Sequence, residues 1–434
     1  MTEWLQGRRL VFGHMGDQPE TAGRGWLVGW LAISGALSAI TLLGVALDAW
    51  PLIASRAATA FTYVDLNTVL AQSECAQAGV SGAPYSECSL PMPAGVYNYP
   101  PASFILAFLL RLDTHDVSWV GSALAVLWTC AAICLLFWVG RRFGLKAVLL
   151  AGLVLLAPGT TLMLQRGSNE SLVWMSVAIA TMASFAGRRW LASSFIALGT
   201  LLKFFPFGMV LLFIPALRRG RAKPLAYMVP IALAVLVTLP FLWLQSGRIP
   251  RPVGDAFGAA VFVHYFESLQ GALLEGGSLM NAPEASPSTG DVAIAALVFL
   301  ALLVCVLLAI TRMSWTVPDE TTRGFALGAS AMLVVIYLSG THYDYRLTFL
   351  VFGVVALTGI ARAQASERAR WLVMLAATTM SISTWMSIPM PRLVQVVGDV
   401  LIWGSLTLLV AVSVVIEWQA RTVRPTQVER IARP

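Results

Sequence analysis

WLVGWLAISGALSAITLLGVALD, residues 26–48, contains no charged side chain until its final Asp48. About 20 apolar residues cross the hydrocarbon core of a bilayer as a helix, so this run is long enough to span. It is too long for a signal-peptide core, and no small-residue cleavage site follows it, so it reads as a retained first membrane helix. The whole chain carries the same message. Of 434 residues, 58% are hydrophobic and 12% charged, and the mean hydropathy is +0.76. A soluble domain keeps about a quarter of its residues charged. The longest polar stretches, 50–99 and 245–291, are loop-sized, which excludes a separate soluble domain. The expected class is an all-α polytopic membrane protein, a single integral domain over 1–434. It has an outer loop at 49–116, a second outer loop at 245–291 and tails at 1–25 and 419–434.

Further apolar runs follow at 118–140, 147–165, 171–186, 225–244, 292–311, 324–340, 345–361, 371–389 and 396–418. Between them, 190–202 and 204–217 read as the two arms of a hairpin broken by Lys203 and Pro206, for about twelve membrane segments in all. The run 102–112 is too short to cross and reads as an interfacial or re-entrant helix. Loops assigned to the inner side hold 21 of the 29 Lys and Arg. Cytoplasmic loops collect positive charge, so both termini are expected inside a plasma (inner) membrane. The net charge of +7 is therefore a topological signal and not a nucleic-acid footprint. Eight cations stay on the disfavoured outer side or within spans: Arg56, Arg111, Arg166, Lys203, Arg248, Arg251, Arg346 and Arg392. An anionic ligand there would account for them.

The candidate site residues lie on that outer face. Asp65, among Tyr63, Leu66 and Val69 just beyond the first span, could cap a helix or face solvent. Partial desolvation at a membrane face, with cations nearby, favours its reading as a general base. His342, Asp344 and Arg346 crowd into five residues between two spans, where ionisable groups are expensive and usually functional. The plain reading of Asp344 and Arg346 is an ion pair closing the helix ends. The functional one makes His342 and Arg346 phosphate ligands, with Asp344 a sugar or acceptor contact. Lys203 at the hairpin tip either snorkels to the interface or binds phosphate where a helix breaks. Arg166, Asn169 and Glu170 form a polar turn able to hydrogen-bond sugar hydroxyls. Asn98 and Tyr99, before Pro100-Pro101, are further candidates for sugar or acceptor contact, as are Tyr63 and, in the second outer loop, His264. Cys75 and Cys88, on an oxidising face, are expected to form a disulfide. Cys130, Cys134 and Cys305 read as packing residues within spans. The histidines show no metal-ligand spacing, so no metal site is expected.

The order of these pieces carries a resemblance. An acidic residue follows the first span, then come Asn98-Tyr99-Pro100-Pro101, Arg166-Gly167-Ser168-Asn169-Glu170, Leu202-Lys203-Phe204-Phe205-Pro206 and Tyr343-Asp344-Tyr345-Arg346. This resembles the polyprenol-phosphate-sugar glycosyltransferases of the C-type fold, in particular glycosyltransferase family 87, which includes actinobacterial alpha-mannosyltransferases. Ser168 and Glu170 stand where asparagine-like and aspartate-like residues are expected. The resemblance, over about residues 26–365, implies an inverting enzyme on the extracytoplasmic face with Asp65 as base. It also implies a polyprenyl-phosphate sugar donor, with mannose first among candidates, and no cofactor beyond that donor. The acceptor would be a lipid-linked or envelope glycan. Two other classes fit the outer cations: a transporter or flippase of an anionic lipid-linked sugar, and a non-catalytic subunit of an envelope-assembly complex.

Overall fold

The computed structural model describes residues 25–47, 62–79, 100–217, 223–245, 256–257, 289–338, 342–386, 390 and 392–422. Among these, α1 (Gly25–Ala46), α4 (Val117–Phe143), α11 (Thr289–Ile310) and α15 (Arg392–Thr422) are long apolar helices. Within them, and across Arg346–Ala363, lie five stretches long and apolar enough to cross a membrane. The helices α5 (Leu145–Leu155) and α6 (Pro158–Arg166) make a sixth if taken together, bent by 51°. Helices also occupy the remaining expected segments: α7 (Glu170–Phe185), α8 (Arg189–Leu202), α10 (Lys223–Gln245), α12 (Glu320–Leu338) and α14 (Glu367–Ser383). These are shorter or less apolar, so crossing by twelve segments is not shown by helix length and composition. Val28, Leu31 and Leu42 on α1 and Leu297, Leu300 and Leu308 on α11 face outward. Apolar surface on that scale belongs against lipid.

Three local details differ from the sequence-based expectation. The run 147–165 is two helices, because Pro158 opens α6 and its missing N–H ends the hydrogen-bond ladder of α5. The second hairpin arm is a 3-10 helix, Phe205–Phe213, followed by one α turn, α9 (Ile214–Leu217). The run 345–361 begins as a 3-10 turn, Asp344–Phe349, and becomes α-helical only in α13 (Leu350–Ala363). Cys130, Cys134 and Cys305, read as packing residues within spans, are exposed on their helices and do not pack inside.

The interior is built by close approach. A side chain at Gly208 would meet the Met332 backbone nitrogen at 2.5 Å, and one at Gly324 would collide with the Leu212 carbonyl. Both positions must stay bare for α12 to lie along the 3-10 arm, and this contact fixes the chain just after Lys203. Trp128, Trp174 and Phe352 then stack in series, at 5.0 and 5.7 Å between ring centroids, through the centre where α4, α7 and α13 meet.

In the first outer loop the chain forms α2 (Val64–Gln77) and α3 (Pro101–Leu109), which pack on each other. The second loop contributes β1 (Ala256–Phe257), paired antiparallel with β2 (His342–Tyr343) in the register Ala256 to Tyr343. That pair brings the second outer loop to the segment carrying Arg346. Cys75 is disulfide-bonded; its expected partner Cys88 lies outside the described residues.

Candidate active site

The site begins with a strained residue. Tyr63 takes a left-handed conformation, φ 62°, at the N-cap of α2. For a non-glycine residue that costs on the order of 1–3 kcal/mol and persists only where the surroundings hold it. Here they do. The Tyr63 ring lies flat against Gly121 of α4, where a Cβ would stand 2.5 Å from it. Its hydroxyl meets Ser122 at 3.3 Å, and its backbone N–H donates to the Gln165 carbonyl at 2.6 Å. The lock delivers the first turn of α2, and with it Asp65, to the end of α6.

Asp65 is 6% exposed. Its Oδ1 accepts from Arg166 Nε at 3.1 Å and Nη2 at 2.6 Å. Arg166 reaches it because Gly167, at φ 60°, ends α6 in the left-handed turn that glycine tolerates. The Asp65 Oδ2 is buried and accepts no hydrogen bond.

A second carboxylate repeats this arrangement. Glu170, the first residue of α7, is fully buried. Its Oε1 accepts from Arg346 Nε at 2.7 Å and faces Lys203 Nζ at 3.6 Å. Its Oε2 is buried and accepts nothing. Both acids sit in the first turn of a helix. Lys203 is close enough to feel the charges of Glu170, Arg346 and Asp65 together, so the four elements meet in one cluster.

Lys203 is placed by the end of α8, where an extended residue precedes Pro206. Arg346 is placed by its 3-10 turn. The Thr348 hydroxyl meets Thr160 at 3.1 Å, its carbonyl accepts from Trp174 Nε1 at 3.4 Å, and Phe349 stacks edge-on against Phe205 at 5.0 Å.

The structure thus brings together Asp65, Arg166, Glu170, Lys203 and Arg346, with Tyr63 as a brace. Arg166 and Glu170, read from the sequence as sugar contacts, are ion-pair partners of the acid and of the phosphate candidates. The acid is therefore paired and buried, not a lone outward-facing group. Asn169 is buried beside Glu170, and its Nδ2 makes no hydrogen bond. For His342 and Asp344 the backbone alone is described, and Asn98, Tyr99 and His264 lie outside the described residues. Sequence reading missed Gln165. Both polar atoms of its side chain are buried and unbonded next to the Tyr63 anchor. Its signal was weak, because a glutamine at the edge of an apolar run looks like a boundary. Among the described residues no three His, Cys, Asp or Glu come together.

No family model matches the chain, and no curated protein matches it. Among solved structures it is similar to ArnT from Cupriavidus metallidurans bound to undecaprenyl phosphate. Identity is 15% and the TM-score 0.31, over 92% of this chain and 78% of that one. A likeness that loose decides neither the fold family nor the chemistry.

Proposed function

We propose that the protein is an inverting membrane glycosyltransferase of the C-type fold, taking its sugar from a polyprenyl-phosphate donor. The observation that carries this is the convergence of three cations, Arg166, Lys203 and Arg346, on the buried carboxylates Asp65 and Glu170. Cations gathered at one buried point suit the phosphate of a polyprenyl-phosphate sugar.

The reaction follows from that arrangement. An acceptor hydroxyl gives its proton to Asp65 Oδ2, the lone pair left unused in the resting protein. The acceptor oxygen bonds to the anomeric carbon as the carbon–oxygen bond to phosphate breaks on the opposite face, which inverts the configuration. The departing monoester gains a second negative charge while Asp65 becomes neutral. Arg346 and Lys203 stabilise the leaving phosphate electrostatically. Arg166, holding Oδ1 with two nitrogens, fixes the carboxylate and aims Oδ2.

The wider reading rests on the sequence. The inward bias of Lys and Arg supports cytoplasmic termini, twelve spans and an extracytoplasmic site. Mannose as the sugar and a lipid-linked or envelope glycan as acceptor follow from the resemblance to family 87. The test is an in vitro assay of purified protein with a panel of polyprenyl-phosphate sugars and analysis of the product linkage. Transfer from one donor with inverted configuration is expected. Movement of the lipid-linked sugar across the bilayer without transfer would sink the reading in favour of a flippase.

A further inference from the structure

A second cationic feature lies far from this cluster. The C-terminal ends of α4 and α13 and the N-terminal end of α12 enclose a cavity of about 250 Å³, bordered by Arg142, Phe143, Asp319, Thr322, Gly359 and Arg362. Ligand cavities for drug-sized molecules start at roughly 300 Å³, so this one suits a small headgroup or ion. Its position follows from helix length. On α4, Gly121 sits under Tyr63 and Arg142 borders the cavity. At 1.5 Å per residue they are about 30 Å apart along the axis. That separation equals the ~30 Å hydrocarbon thickness of a bilayer. The catalytic cluster and the cavity therefore lie at opposite faces.

The charges favour an anion. Arg142 lies over the Phe185 ring at 5.4 Å, which leaves the N–H edge of its guanidinium for a ligand. Among the described residues that edge makes no hydrogen bond. Arg362 donates to the Arg142 carbonyl and remains exposed at the rim. Among the lining residues two guanidiniums stand against the one carboxylate of Asp319, whose oxygens are engaged in capping α12. Its Oδ1 accepts from the Thr321 and Thr322 N–H groups at 3.0 and 3.1 Å, and its Oδ2 from the Thr322 hydroxyl at 2.6 Å. We propose that this cavity binds a phosphate-bearing anion, supplied by the headgroup of a phospholipid in the leaflet opposite the catalytic cluster.

The experiment uses full-length protein in phosphatidylcholine nanodiscs, with and without a minor fraction of phosphatidylglycerol. Native mass spectrometry counts retained lipid, and thermal unfolding reads its effect. Wild type is expected to retain one phosphatidylglycerol more than Arg142→Gln does, and to melt higher when that lipid is present. Arg362→Lys, which keeps the charge, should retain it. A rise in melting temperature with inorganic phosphate in pure phosphatidylcholine, seen in wild type and absent in Arg142→Gln, would assign the site to a soluble phosphate instead. If wild type retains no phosphatidylglycerol and shows no response to inorganic phosphate, the proposal is overturned. Equal retention by wild type and Arg142→Gln overturns it too. Either result leaves the transferase reading untouched.

Discussion

Glu170 shows most clearly how much a single side chain holds at this site. It is fully buried between Arg346 and Lys203, and removing one partner of a buried ionic set costs about 3–5 kcal/mol. Glu170→Ala is accordingly expected to lower the unfolding temperature sharply, as calorimetry or a thermal-shift assay would show. Glu170→Gln keeps the shape and removes the negative charge that pairs with Arg346 and Lys203. It should then hold the dianionic polyprenyl phosphate too tightly, seen as stronger product inhibition than in wild type. Unchanged product inhibition would show that the charge balance does not govern the site. Residue by residue, the sequence named Asp65, Arg166, Glu170, Lys203 and Arg346, because ionisable groups among apolar runs stand out. The pairings were hidden. The partners of Asp65 and Glu170 lie 101 and 176 residues away in sequence, and nothing local ties Arg166 to one acid and Arg346 to the other.

At the scale of elements, the position of Asp65 depends on how α2 is seated on α4. The Tyr63 ring occupies the space a Cβ would take at Gly121. Gly121→Ala is therefore expected to displace Tyr63 and the first turn of α2, loosening the Asp65–Arg166 pair. Transfer should slow while lipid-phosphate binding by Arg346 and Lys203 persists, a fall in kcat with little change in KM. Gly35→Ala on α1, where a new Cβ meets nothing within 4 Å, is the matching control and should behave as wild type. Equal kcat for the two variants would contradict the seating argument. The helix α2 was not legible beforehand, because its sequence VDLNTVLAQSECAQ shows no apolar stripe at helical spacing. As a helix it is largely buried and packs on α3 and α4. The bend at Pro158 was signalled by the proline itself but lies inside a continuous apolar run, whereas nothing in the composition marks the 3-10 turn before α13.

Across the whole molecule, the apolar character was legible from composition alone, and the long helices follow the runs 26–48, 118–140, 292–311 and 396–418 closely. Which shorter helices cross a bilayer is less so, since α7 and α8 bury faces against neighbours and need not be apolar all round. The 21-to-8 partition of Lys and Arg favours a catalytic cluster outside and both ends of the chain inside. A C-terminal fusion after residue 434 should fluoresce as a cytoplasm-folding reporter and be inactive as alkaline phosphatase. Phosphatase activity there would reverse the orientation.

The most direct measurement is single-turnover release of labelled polyprenyl phosphate by the purified wild type and by Asp65→Asn. Loss of a general base removes roughly 10²–10⁴-fold in rate. The variant is expected to fall by that factor while still binding the donor, since Arg346 and Lys203 are unchanged. Release at the wild-type rate would show that no proton passes through Asp65, and the proposed chemistry would fall with it.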